Sequence, residues 1–198
     1  WRMANPIPTL PKTTAPGSSN LLPRWHLQSL HTSKALTAQE ITHVFNQTFF
    51  EAYRTILSGG VDEPLYKPSA SRSKPHVIYF TSTSSALHEV AHWCIAGIDR
   101  LTKVDYGYWY NPDGRNLKQQ QEFEALEVKP QALELIFSEI CGIAFHESRD
   151  NLNSNANTSS QEFRRQIEIQ AEKFRCTMPS RASAFCLALN RHRQERFC

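Results

Sequence analysis

No stretch of this sequence approaches the roughly 18 consecutive apolar residues that a membrane-spanning helix requires, so nothing in it is built to cross a bilayer. None of its five cysteines (Cys94, Cys141, Cys176, Cys186, Cys198) stands in a CxxC spacing. An odd cysteine count without a secretory signal points to reduced thiols in a cytoplasmic protein. No internal repeat is present. Excess charge is also missing from most of the chain. The formal net charge is +3 from 22 basic and 19 acidic residues. Four of the basic residues (Arg2, Lys12, Arg24, Lys34) fall in residues 1–36, which contain no acid, so 18 basic face 19 acidic residues from position 37 onward. A near-neutral body carries no nucleic-acid footprint.

The acid-free start is also rich in proline: Pro6, Pro8, Pro11, Pro16 and Pro23 lie among Thr, Ser and Asn. Such a segment buries too little apolar surface to order itself, which predicts a disordered extension over 1–36 and a single domain over 37–198. The opening Trp1-Arg2-Met3 reads as a frame taken from upstream of the true start.

What the chain does contain is periodicity. Thr37 and Glu40 have capping-box spacing, and Ile41, Val44, Phe45, Phe49, Tyr53, Ile56 and Leu57 follow at helical intervals up to Gly59-Gly60. Residues 61–74 read as loop, and His76-Val77-Ile78-Tyr79-Phe80 as a short buried strand. A helix capped by Ser84 or Ser85 and stopped at Gly97 comes next, buried through Leu87, Val90, Ala91, Ile95 and Ile98. Val104 to Tyr110 reads as an aromatic-rich strand ending in the turn Asn111-Pro112-Asp113-Gly114. Helical spacing returns from Leu117 to about Phe145, with a kink or a new start expected at Pro130. A polar loop over 151–160 precedes two further helices separated by Pro179, and Arg191, Arg193 and Arg196 read as a solvated end. These elements predict an α+β domain: a small mixed sheet with packed helices.

One spacing implies chemistry by itself. In His88-Glu89-Val90-Ala91-His92, a helix places His88 and His92 one turn apart on one face, where both can hold one divalent metal. Glu89, about 100° round the helix, can face the water on that metal. This is a zincin-like metal helix. Cys94 lies about 200° from His92 and reads as a packing residue, and His76, without a partner beside it, as a surface residue. The third ligand separates the known site classes. A metzincin would carry a histidine six residues after the second, where this chain has Ile98. A glutamate from a later helix is the alternative. Glu124 and Glu127 are the candidates, with Glu127 preferred because it shares a stripe with Gln131 and Leu135.

Longer runs carry a resemblance. His88 through Gly97, Val104-Asp105-Tyr106-Gly107-Tyr108-Trp109-Tyr110, Pro112-Asp113-Gly114-Arg115, Phe123-Glu124 with Glu127 through Leu133, Asp62-Glu63-Pro64 and Asp150-Asn151-Leu152 closely resemble the bacterial elongation factor P hydroxylases. The likeness covers about 37 to 189. It implies an oxygenase that hydroxylates the lysine of elongation factor P after a β-lysyl group has been attached. It further implies a two-histidine-one-carboxylate metal site, which His88, His92 and one glutamate, Glu127 in preference to Glu124, would make, with dioxygen as co-substrate. Iron(II) and zinc both suit that ligand set. Glu89 would serve as acid/base or as a further ligand. Tyr106 to Tyr110 would wall off water, and Asp105 or Asp113 would meet the ammonium group of the substrate. Elongation factor P is then the partner, with no direct contact to nucleic acid or membrane. Two rival readings stand beside it: a zinc metallopeptidase with Glu89 as general base, and a non-enzymatic, metal-stabilised adaptor.

Overall fold

The computed structural model describes residues 34–108, 115–149 and 160–196. Five helices and one three-stranded mixed sheet make up the described chain, an α+β arrangement. Helix α1 (Ala38–Tyr53) starts where the capping box puts it: Glu40 N–H donates to Thr37 Oγ1 (3.3 Å) and Thr37 N–H donates to Glu40 Oε2 (2.8 Å). The chain packs from slightly before that cap. Leu36 is 2% exposed and its N–H donates to the Cys141 carbonyl at 2.9 Å. The rest of the expected extension, residues 1–33, lies outside the described residues.

The first helix is shorter than its apolar spacing suggested. Arg54 takes a left-handed conformation (φ 47°) and ends it. Ile56 and Leu57 then belong to strand β1 (Thr55–Gly59), not to the helix. A short apolar run fits either period, and pairing decides here: β1 runs parallel to β3 (His76–Phe80) with Leu57 opposite Ile78. Strand β2 (Leu65–Lys67), in the stretch expected to be loop, pairs antiparallel with β3 on its other side. β3 is therefore central. Asn46 of α1 satisfies both backbone groups of Leu57, accepting from its N–H at 2.7 Å and donating to its carbonyl at 3.3 Å. That side chain seals part of an edge which would otherwise expose unpaired polar groups.

β3 leads directly into helix α2 (Thr83–Ile95). The cap is Ser82, two or three residues earlier than expected, accepting from Ser85 N–H. Leu87, Val90, Ala91 and Trp93 are fully buried, whereas Ile98 is 69% exposed because α2 ends at Ala96 and Ile98 falls off its stripe. Trp93 sits between Phe45 (5.2 Å) and Phe49 (4.8 Å). Each fully buried phenylalanine of this kind contributes roughly 1.5–3 kcal/mol.

Helix α3 (Leu117–Cys141) passes through Pro130 without a break. The local penalty of an interior proline is outweighed by burial on both sides of it: Phe123 and Glu127 before, Gln131, Ala132 and Leu133 after. α3 packs across α2 and against α4 (Ser160–Cys176), and α5 (Ser180–Glu195) closes the core through Phe185, 5.1 Å from Phe137. The basic end is not simply solvated. Arg193 donates to the Ile140 carbonyl and Arg196 Nε lies 3.3 Å from Glu40 Oε1. Among the described residues, no helix is long and apolar enough to cross a membrane.

Candidate metal centre

Core packing fixes α2, and α2 then aims His88 and His92 at α3. Their Nε2 atoms are 3.1 Å apart. Glu127, buried on the facing side of α3, brings Oε2 to 3.5 Å from His88 Nε2 and Oε1 to 3.3 Å from His92 Nε2. One donor atom from each of the three lies within 4.8 Å of the others. Among the described residues this is the cluster of His, Cys, Asp and Glu able to hold a metal ion. Glu124, the other candidate, is turned elsewhere: its Oε1 accepts from Arg149 Nε at 2.9 Å and from Gln120 Nε2 at 3.0 Å. Glu127 itself is steadied by Gln131, whose amide donates to it at 3.4 Å and clasps Ser148 through that residue's N–H and carbonyl.

Electrostatics and donor chemistry fit a cation. At 3.1 Å the two Nε2 atoms are close enough to share either a proton or a cation. Burial disfavours charge on His88, yet the hydrogen bond to Glu134 and the field of Glu127 push its pKa up to about 10. Burial likewise raises Glu127, but His92 and His88 outweigh it and hold the carboxyl at about 2. A buried carboxylate between two imidazoles therefore favours positive charge beside it, which protonated histidine can supply and a divalent metal can replace, and the N and O donor set suits that metal.

A cavity of about 530 Å³ opens beside these donors. Glu89 lines it, and burial, opposed by the two histidines, pushes its carboxyl up. The opposite wall differs from the strand expected over Val104 to Tyr110. Val104–Gly107 is a 3₁₀ turn in which Asp105 (φ 47°) and Tyr106 (φ 59°) are both left-handed. Tertiary contacts hold this strained backbone. Arg100 Nη1 donates to the Tyr106 carbonyl (3.0 Å), Tyr66 N–H donates to Asp105 Oδ1 (2.9 Å), and the Tyr66 and Tyr106 rings stack at 4.5 Å. Tyr106 and Tyr108 line the cavity, with the Tyr106 ring parallel to His92 at 6.3 Å. Trp109, Tyr110 and the turn carrying Asp113 lie outside the described residues, as does Asp150-Asn151-Leu152. His76 is off the site, its Nδ1 accepting from Ser69 N–H at 2.9 Å. Cys94 is a buried packing residue whose thiol is pushed far above its usual range by that burial.

A protein-family model described as elongation factor P hydroxylase matches residues 44–197. The chain belongs to that family. It is also 45% identical over 157 residues to the elongation factor P lysine hydroxylase of Haemophilus influenzae, a match covering 76% of this chain and 86% of the relative. The metallopeptidase alternative finds no support in this membership.

Sequence reasoning missed Glu134, whose carboxylate meets His88 Nδ1 at 2.8 Å. A signal was present. Glu127, Gln131 and Glu134 share one face of a helix at intervals of four and three, a polar stripe among buried neighbours. The stripe drawn from Glu127 through Gln131 ran on to Leu135 and passed Glu134 by one position.

Proposed function

We propose that this protein hydroxylates the lysine of elongation factor P that carries a β-lysyl group. In this reading dioxygen is the co-substrate and a divalent metal, iron(II) in preference to zinc, is held by His88, His92 and Glu127. The convergence of those three donors beside the cavity carries the reading, together with the family membership. The zincin-like expectation rests on the α2 motif alone.

When bound, a redox-active metal supplies the activation of dioxygen. The balance is that of a monooxygenation: one oxygen atom enters a C–H bond, and the other leaves as water with two protons and two electrons from an external reductant. Residues of this chain supply the rest. Glu89, its carboxyl raised by burial, holds and passes a proton at the cavity wall. Tyr106 and Tyr108 exclude water and pack on the alkyl part of a long side chain. Asp105 keeps one carboxylate oxygen on the Tyr66 N–H and offers the other to the substrate ammonium. The setting is the cytoplasm, with elongation factor P as protein partner and no nucleic acid or membrane in the reaction.

The test incubates iron-loaded protein, a reductant and β-lysylated elongation factor P under heavy-isotope dioxygen, then weighs the modified peptide. One labelled oxygen atom on the modified lysine is expected. Product formed equally well without oxygen overturns the reading, and a cleaved chain overturns it in favour of the peptidase.

A further inference from the structure

Glu134 stands on α3 seven residues beyond Glu127, 6% exposed, with Oε2 2.8 Å from His88 Nδ1. The opposite nitrogen of the same ring, Nε2, is the one that faces His92 Nε2 at 3.1 Å and Glu127 Oε2 at 3.5 Å. We propose that Glu134 is a positioning residue that fixes the tautomer and the orientation of His88, so that Nε2 presents its lone pair to the metal. This rests on the reading that His88 holds the metal.

The inference follows from donor inventory. A carboxylate accepts and cannot donate, so the proton of a neutral imidazole facing it must sit on Nδ1. The tautomer with its proton on Nε2 would point a hydrogen at the site and could not ligate. The hydrogen bond also resists rotation of the ring about its attachment to Cβ. Both ends are rigidly mounted: His88 lies on a helix anchored by the buried Trp93, and Glu134 follows the fully buried Leu133. Partners of this kind behind a ligating histidine typically change metal affinity by 10- to 100-fold.

Zinc serves as a diamagnetic probe. Its affinity is read by competition with a chromophoric chelator, and the His88 tautomer by the ¹⁵N shifts of the ring in the zinc-loaded protein. Glu134→Ala is expected to weaken zinc by about 10- to 100-fold. Glu134→Gln, whose amide oxygen still accepts from Nδ1–H, should stay close to wild type with the same ring shifts. Glu134→Asp keeps the charge but falls one methylene short, so it should lose affinity like the alanine variant and remains a test if alanine does not fold. Wild-type affinity in either the alanine or the aspartate variant overturns the proposal, and so does failure of glutamine to rescue. A His88→Ala control that keeps full zinc affinity strikes the metal site itself, which separates that failure from this one.

Discussion

The two walls of the cavity are built on opposite physical terms. On one side His88, His92, Glu127 and Glu134 project from two regular helices that cross in the core, so their positions follow from burial. On the other side Asp105 and Tyr106 sit on consecutive left-handed residues, a conformation L-residues avoid, held by three specific contacts. Donor atoms for a metal must be placed to fractions of an ångström, and helices packed on a core do this well. A wall that meets a long flexible side chain needs shape and one or two polar groups, which a strained turn supplies. The difference teaches that changes on the helical wall should act on metal retention, and changes on the turn should act on substrate.

The largest effects therefore belong to the helical wall. His88→Ala and His92→Ala should each leave the purified protein without bound metal after dialysis, because losing one of three ligands removes most of the chelation. Elemental analysis checks this, and full occupancy in either variant would break the comparison at its strongest point. Glu127→Ala should behave like the histidine variants. Glu124→Ala should keep the metal yet cost stability by about 1–3 kcal/mol, because it removes the carboxylate that accepts from Arg149 Nε and from the Gln120 amide. Thermal unfolding alongside metal content separates the two glutamates. The reverse pattern would move the ligand to Glu124.

A middle-sized effect is expected on the turn. Asn at position 105 can still accept from Tyr66 N–H and tolerates a left-handed φ better than most residues, so Asp105→Asn should fold and keep its metal. What it loses is charge. A charge-assisted contact worth about 1.5–3 kcal/mol corresponds to roughly a ten- to hundredfold fall in kcat/KM. Steady-state kinetics with β-lysylated elongation factor P, beside metal content, reads this. Loss of metal in Asp105→Asn would show that the walls are not independent.

The same contrast explains what was legible beforehand. The HExxH spacing, the Thr37 capping box, β3 and the two last helices follow from local periodicity and capping, and the structure has each of them. Glu127 was preferred to Glu124 for the stripe it shares with Gln131 and Leu135, and the structure turns its carboxylate toward His88 and His92. Three features were hidden because long-range contacts decide them. Pairing with β3 turned Ile56 and Leu57 into a strand, and burial on both flanks carried α3 through Pro130. The left-handed pair at Asp105 and Tyr106 depends on Tyr66 and Arg100, the former 39 positions from Asp105. Val104–Gly107, the start of a run with β propensity, is a turn because those partners fix it.

The smallest effect sits at the junction of the two walls. Ile98 continues the apolar spacing of α2 and was expected in the core, but α2 gives way at Ala96, whose ψ of 129° is extended. Past that point the helical register no longer applies, and the Ile98 side chain is 69% exposed. Arg181 closes the helix end here, donating to the Ala96 carbonyl and, at 3.3 Å, to the Cys94 carbonyl, so those carbonyls are satisfied without another turn. Ile98→Ser should therefore change stability by no more than about 0.5 kcal/mol, as exposed positions usually do. Were the periodic reading correct and Ile98 buried, removing its side chain would cost about 2–5 kcal/mol. Chemical denaturation distinguishes these outcomes easily. A loss in the larger range would mean that the helical wall extends into the segment assigned to the turn, and the boundary between metal retention and substrate contact would have to move with it.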